Sequence, residues 1–411
     1  MPDLPIYLDN HATTRADPRV VEAMLPYFSE IYGNSGSTSH SFGAAAKDAV
    51  DDSRAKIASA IGARAKEIVW TSGATESNNL AIRGVAEKHA GYPRPASGYP
   101  GGGRHIISAT TEHPAVLDPL AALARRGFEI TLLPVIAAGG APARGSRAGL
   151  IDVERLAAAI RDDTILVSIM LANNEIGAIQ PLAEIGRLCK ARGVLLHSDA
   201  TQAVGKMPVD VEALGVDLMS FTAHKIYGPK GIGALYVRSR GPRVRLEPQI
   251  DGGGQEGGLR SGTANVPGIV GFARALELCL AELAEEAARL SGLRDRLYAG
   301  VRAGSGDIAL NGPALDLAGA RLPGNLNVSF GCVEGESLML AMPEVAVSSG
   351  SACTSARPEP SHVLRALGLS EDAVRGSVRF GLGRFTTAEE IEFVIARVIE
   401  SVARLRAMSS M

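Results

Sequence analysis

Lys225 stands where an amine could do chemistry. The stretch from Leu218 to His224 leads into it, and Ile226, Tyr227, Gly228, Pro229, Lys230 and Gly231 follow. The apolar residues before it read as a short buried strand, and the Pro and Gly after it as a turn. A lysine there is either a solvated turn residue, as Lys230 looks, or a functional amine at the carboxyl end of a strand, where open α/β sheets place their ligands. Asp199 favours the second reading. It ends the apolar run that starts at Val194, about one strand–helix unit upstream. An amine and a carboxylate on consecutive strand ends meet the demands of pyridoxal 5′-phosphate (PLP). That cofactor needs a lysine for its carbonyl carbon and a carboxylate that keeps its pyridine nitrogen protonated, so that the ring accepts electrons. Its phosphate needs backbone amides at a helix start. Thr71, Ser72, Gly73, Ala74 and Thr75 offer amides and hydroxyls between the short strand 68–70 and an apolar-periodic helix. Alone, they would read as an ordinary N-cap.

Other residues have two readings each. His113 ends a strand at the same sheet edge; it is a turn residue or, beside a PLP ring, an imidazole that stacks and moves protons. Asn174, in the run Asn173 to Gly177, is a polar turn residue or an amide donor to the ring's phenolic oxygen. Arg379 is a surface arginine or a bidentate clamp for a substrate carboxylate. Cys353 lies among Ser, Gly, Ala and Thr, whereas Cys189 and Cys279 look like buried helix residues and Cys332 a strand-end residue. A small polar loop makes Cys353 a candidate nucleophile.

These residues need a scaffold. Strand patterns at 105–109, 128–133, 164–171, 194–197 and 232–237 alternate with helical patterns at 115–126, 153–161 and 182–192. Such alternation predicts an α/β fold with a mostly parallel sheet covered on both faces. Helical patterns also cover 18–31 and 40–61, and a long amphipathic helix is expected over 266–290. Beyond it the texture becomes α+β, ending in a closing helix at 388–406. The expected division is a large domain, 16–265, and a smaller α+β domain built from 1–15 and 266–411. The Pro/Gly-rich stretches 91–103 and 137–147 read as surface insertions.

Bulk properties narrow the function classes. Hydrophobic residues make up 46% of 411, which suits a globular chain. A net charge of −2 gives no electrostatic case for nucleic acid or a membrane surface. No apolar run is long enough to span a bilayer, and no basic-then-apolar leader is visible at the start. The four cysteines lack metal-like spacing, so no metal site and a reduced, cytoplasmic setting are expected.

Taken together, the residues resemble the cysteine desulfurases of the housekeeping iron–sulfur cluster type. The likeness runs from Tyr7-Leu-Asp-Asn-His-Ala-Thr-Thr14 to Leu382-Gly-Arg-Phe-Thr386. It includes Thr71-Ser-Gly-Ala-Thr-Glu-Ser77, Asn173-Asn-Glu-Ile-Gly177, His224-Lys-Ile-Tyr-Gly-Pro-Lys-Gly231, Arg260-Ser-Gly-Thr263 and Ser348-Ser-Gly-Ser-Ala-Cys-Thr-Ser355. The resemblance implies an aspartate-aminotransferase-like PLP fold, a homodimer, and conversion of L-cysteine to L-alanine. It assigns Lys225 to the Schiff base, Asp199 to the pyridinium, His113 to stacking, and Asn174 and Gln202 to hydrogen bonds with the ring. Ala74, Thr75, Thr222 and His224 would hold the phosphate, with Thr263 of the other subunit. Arg379 and Asn10 would bind the substrate, and Cys353 would carry sulfur to an iron–sulfur scaffold or other acceptor, with transient cluster ligation open to it. A selenocysteine lyase-like enzyme would share Lys225 and Asp199 without the same need for Cys353, and a binding or assembly module is a further alternative. A nucleotide site is disfavoured by the lack of a Gly-x-x-x-x-Gly-Lys-Ser/Thr run. Three features depart from the family pattern: a short tail after Arg406, which bears on scaffold docking, the two long insertions, and Gly381 where a serine is common.

Overall fold

Short apolar runs become strands, and the periodic stretches between them become helices. The computed structural model describes residues 2–90, 102–139, 145–241, 243–349 and 360–409. Its strands are β1 (Ile6–Tyr7), β2 (Ile68–Thr71), β3 (His105–Ala109), β4 (Glu129–Leu133), β5 (Thr164–Ser168), β6 (Leu195–Asp199), β7 (Leu218–Thr222), β8 (Gly233–Val237), β9 (Ile308–Leu310), β10 (Asn325–Phe330), β11 (Val345–Ala346) and β12 (Ser377–Gly381). Among the described residues one sheet runs β2-β8-β7-β6-β5-β3-β4. Its pairs from β7 to β4 are parallel, while β8 pairs antiparallel with both β7 and β2. A second sheet, β12-β10-β9, is antiparallel, and β1 pairs with β11.

The large sheet is buried on both faces. Ile68 and Trp70 of β2 join one apolar cluster, and Val69 between them joins the other. Inside the sheet a polar ladder crosses three strands. The Ser168 hydroxyl meets His197 Nδ1 at 2.8 Å, and His197 Nε2 meets the Ser220 hydroxyl at 3.0 Å. Burial pushes His197 down to about 4, so its ring is neutral and gives one hydrogen bond while taking the other. The ladder lies near the carboxyl ends of β5, β6 and β7 and fixes their relative height, two residues before Asp199.

A third apolar cluster joins Ile6 and Leu8 to β10, β12 and the helix Ala388–Ser409. Ile391, Val394, Val398 and Val402 are all buried there, as their spacing predicts. The helix Val266–Ser305 belongs to both cores. Its first half gives Ile269, Phe272 and Leu276 to the large core, and Leu290, Leu297 and Val301 serve the small one.

Several elements differ from expectation for identifiable reasons. That helix runs 15 residues past 290, the end its sequence suggests. Gly292, Gly300 and Gly304 blur the pattern, but a Cβ on Gly300 would lie 2.7 Å from Ile395 Cδ1, so glycine lets two helices approach. The helix expected at 18–31 splits into Pro18–Met24 and Pro26–Ser29, because Pro26 has no N–H to continue the ladder. β5 stops at Ser168 rather than 171; the Met170 N–H leaves the sheet and donates to the Glu112 carboxyl at 2.8 Å. The three-residue β9 and the helix Glu371–Arg375 are too short for a periodic signal.

Candidate active site

Strand ends and one helix start converge at the carboxyl edge of the large sheet, around a pocket of about 480 Å³. Lys225 enters it from the single turn Ala223–Lys225 that follows β7. The turn is tightly held. Thr14 donates to the His224 carbonyl through its N–H and its hydroxyl, each at 2.9 Å, and the Tyr227 N–H donates to the Thr14 hydroxyl at 2.7 Å. Tyr227 itself adopts φ 64°, a strained value for a tyrosine that such a network must enforce. Lys225 is 7% exposed, and its amine donates to the carbonyls of His11 at 2.7 Å and Ala12 at 2.5 Å.

Asp199 faces the same pocket from the next strand, β6. One carboxylate oxygen accepts from the Thr201 N–H at 2.9 Å and the other from Asn78 Nδ2 at 2.7 Å. Asn78 is a site residue that the sequence reading missed. It follows Ala74 by four positions on the helix Ala74–His89, so helical spacing places it on the pocket face.

The helix Ala74–His89 points its start at the pocket, and Gly73 before it gives no side-chain cap. The first amides are therefore left for an anion. A Cβ on Gly233 would fall 2.7 Å from Gly73 Cα and C, so glycine in β8 is what lets the helix start come this close. Glu76 in that first turn is drawn aside: Arg260 donates to it at 2.9 Å, and Ser72 donates to its other oxygen. Burial raises the Glu76 carboxyl, but these partners outweigh it and leave the pKa lowered.

His113 caps the helix Pro114–Ala124 and lines the pocket; its Nδ1 accepts from the Ala115 N–H at 3.0 Å, which leaves the proton of a neutral ring on Nε2. Asn174 lines the pocket on a turn shaped by Asn173, whose side-chain oxygen accepts from the Glu175 and Ile176 N–H groups at 2.8 and 2.9 Å. Thr222 and His224 line it as well. The Thr222 hydroxyl donates to the Ile232 carbonyl at 2.7 Å, and His224 Nδ1 meets Thr13 Oγ1 at 3.1 Å. Burial, helped by the charges of Lys225, Lys230 and Lys206, pushes His224 down to about 4.

Gln202 lines the pocket, and its amide also joins His11 and Lys206. The expected substrate residues lie behind the pocket wall. Arg379 on β12 is 1% exposed; it donates to Asp9 at 2.7 Å and to the Asn174 carbonyl at 2.9 Å, and its Nε has no partner among the described residues. Asn10 turns its amide to the Gly381 carbonyl at 2.8 Å and lines a separate small cavity, so the structure does not bring it to the main pocket. Thr263 is exposed and outside the pocket of its own chain. Cys353 lies outside the described residues.

Two buried acids beside the pocket gave no sequence signal. Glu112 is wholly buried; burial first, and the Asp199 charge in support, push its carboxyl well above the usual range, so it is held neutral. Glu175 is raised by burial too, although the Ser361 hydroxyl donates to it at 2.5 Å.

A family model described as aminotransferase class-V matches residues 6–394. The chain is 56% identical to a protein named cysteine desulfurase IscS from Anaeromyxobacter sp. strain Fw109-5, over 99% of this chain and 94% of that one. It is 54% identical to the cysteine desulfurase IscS of Klebsiella pneumoniae strain 342, over 99% and 95%. The chain belongs to the class-V aminotransferases, among their cysteine desulfurases. Solved structures agree. A NifS-like protein superposes with a TM-score of 0.85 at 37% identity, covering 97% of this chain and all of that one. The structure titled SspA in complex with cysteine gives 0.77 at 33% identity, over 93% and 100%.

The fold is that of the aspartate-aminotransferase-like PLP enzymes, as the sequence predicts, and the cysteine desulfurases depend on PLP. The pocket fits that cofactor on its own terms. It offers an uncapped helix start for a phosphate, a braced carboxylate, a buried amine, and a Thr201 hydroxyl that is buried without a partner among the described residues.

Proposed function

We propose that the protein removes sulfur from L-cysteine, releases L-alanine, and holds the sulfur as a persulfide on Cys353 for acceptors in iron–sulfur cluster assembly. The observation that carries this is the Lys225 amine and the Asp199 carboxylate facing one pocket at an uncapped helix start. Lys225 would bind the cofactor's carbonyl carbon, and Asp199, braced by Asn78, would keep a proton on the pyridine nitrogen. Asn174 and Gln202 would donate to the ring oxygen, and His113 would stack on the ring. The amides of Ala74 and Thr75, with Thr222 and a neutral His224, would hold the phosphate. When bound, PLP supplies an electron sink for the substrate's α-carbon.

The chain's own residues do the rest. Arg379, oriented by Asp9, would take the substrate carboxylate, and Asn10 would support the wall around it. Lys225 would remove the α-proton. The Cys353 thiolate would attack the substrate sulfur, so that an S–S bond forms as the substrate C–S bond breaks and its electron pair goes to carbon. Protonation of that carbon gives alanine. Atoms balance as enzyme thiol plus cysteine going to enzyme persulfide plus alanine, with no outside oxidant.

The working unit is a homodimer in this reading. Val21, Leu25, Phe28, Tyr32 and Phe42 expose apolar surface, a feature expected of an interface, and Thr263 would serve the neighbouring site. We also propose the 16–265 domain with a small domain from 1–15 and 266–411, a scaffold or other sulfur acceptor, and a cytoplasmic setting. Among the described residues no helix is long and apolar enough to cross a membrane.

The test is a visible spectrum of the purified protein, then assays of alanine and enzyme-bound sulfur after cysteine is added. Wild type should show the cofactor band and persulfide on Cys353 by peptide mass spectrometry. Lys225→Ala should lose the band, and Cys353→Ser should keep it but form no persulfide. Full desulfurase activity in Cys353→Ser would favour a lyase instead.

A further inference from the structure

Gln202 is held from behind by two donors. Lys206 Nζ lies 2.9 Å from Gln202 Oε1, and His11 Nδ1 lies 3.2 Å from the same oxygen. Gln202 Nε2 lies 2.8 Å from the His11 carbonyl, which can only accept, so that edge of the amide is its NH2 and the atom facing Lys206 and His11 Nδ1 is the oxygen. His11 Nδ1, facing that oxygen too, must then carry the ring's proton. On the other side Gln202 Nε2 donates to the His11 carbonyl at 2.8 Å, and that carbonyl also accepts from Lys225 at 2.7 Å. With its oxygen taken by two donors, the amide cannot flip. One Nε2 hydrogen is used by His11, and the other remains for the pocket that Gln202 lines.

The His11 ring has its place because of Gly381. A Cβ on Gly381 would lie 3.1 Å from His11 Cδ2 and 3.0 Å from the His11 N. Glycine at 381 thus makes room for an imidazole that lies 370 positions away in the chain. Burial first, then the neighbouring Lys206, Arg379 and Lys225, hold that ring well below the usual histidine range and so neutral, and burial also brings Lys206 itself down to about 7. A neutral ring bearing hydrogen on Nδ1 is the form that the Gln202 oxygen requires.

We propose that His11 is a positioning residue which, with Lys206, locks the Gln202 amide so that its NH2 edge faces the ring oxygen of PLP. The proposal rests on the PLP reading above. A donor on that oxygen drains negative charge that would otherwise help hold a proton on the Lys225 nitrogen. Loss of the lock should therefore make that proton harder to remove.

The test is a pH titration of the visible band of the purified holoenzyme, with KM for cysteine and the thermal midpoint measured alongside. His11→Asn keeps a donor near Gln202 and should titrate like wild type. His11→Phe keeps a flat ring over Gly381 but donates nothing. It should move the midpoint upward by roughly half to one pH unit, the effect of losing one ordinary hydrogen bond, and raise KM several-fold. Should the phenyl variant fail to fold, His11→Leu puts a smaller donor-free side chain through the same measurement with the same expected shift. A donor-free variant that titrates like wild type and differs only in thermal midpoint would make His11 a packing residue and overturn the proposal. A wild-type holoprotein without a visible band would overturn the PLP reading and this one with it.

Discussion

Glu112 shows how much a single side chain can tell about the pocket wall. Its carboxyl is buried beside Asp199, takes the Met170 N–H, and leaves its second oxygen without a partner among the described residues. Its folded-state pKa is raised above the unfolded value. The stability it contributes is therefore present below about pH 4.3 and is lost as pH rises toward the folded pKa. Glu112→Gln keeps an acceptor for Met170 and removes the titration. Urea midpoints of variant and wild type should lie close at pH 5 and separate in the variant's favour toward pH 8, by up to about 1.4 kcal/mol per pH unit. Parallel pH profiles would show that Glu112 is ionised in the fold. Such a residue was not legible in the sequence, because nothing in a Thr-Thr-Glu-His turn says which way the glutamate points. Lys225 and Asp199 were legible because each ends an apolar run. The side Asn10 faces, a small separate cavity, was not legible because sequence gives a residue's neighbours along the chain, not the wall it faces.

At the scale of elements, the approach of β8 to the start of the helix Ala74–His89 matters most. Gly233 pairs with Thr71 and Thr222 and lies against Gly73. Gly233→Ala would push the helix start away from the sheet by a few tenths of an ångström or more. Cofactor dissociation constants, read by dialysis and absorbance, should rise at least tenfold, while a far-ultraviolet spectrum stays native. Unchanged retention would mean that the amides of Ala74 and Thr75 are not the phosphate site. The strand–helix order itself was readable from alternating runs. The long helix was not: its glycines weaken the apparent pattern at 292–304, and only the packing of Ile395 and Ile399 against Gly300 and Gly304 explains why they are tolerated.

The whole molecule brings two further expectations. If the exposed apolar residues of the first helices form the twofold interface, Phe28→Glu should convert the dimer to monomer by light scattering. It should also abolish turnover, because Thr263 would no longer reach a neighbouring site; an active monomer would contradict the shared site. The second concerns the helix Val266–Ser305, which threads both cores. At about 1.5 Å per residue it is a rod of roughly 60 Å. Neither core can melt without removing half of a helix from the other, so both cores should melt together in one endotherm, with no separate transition for the small core. Leu297, wholly buried in the small core, makes this visible at a distance. Leu297→Ala should cost about 2–5 kcal/mol, and the loss should appear in hydrogen exchange not only in β10 and β12 but also in β6. Amides beneath the catalytic pocket would then exchange faster because of a hole three carbons in size in the other core, and protection factors there would report on the helix as a shared clock for opening.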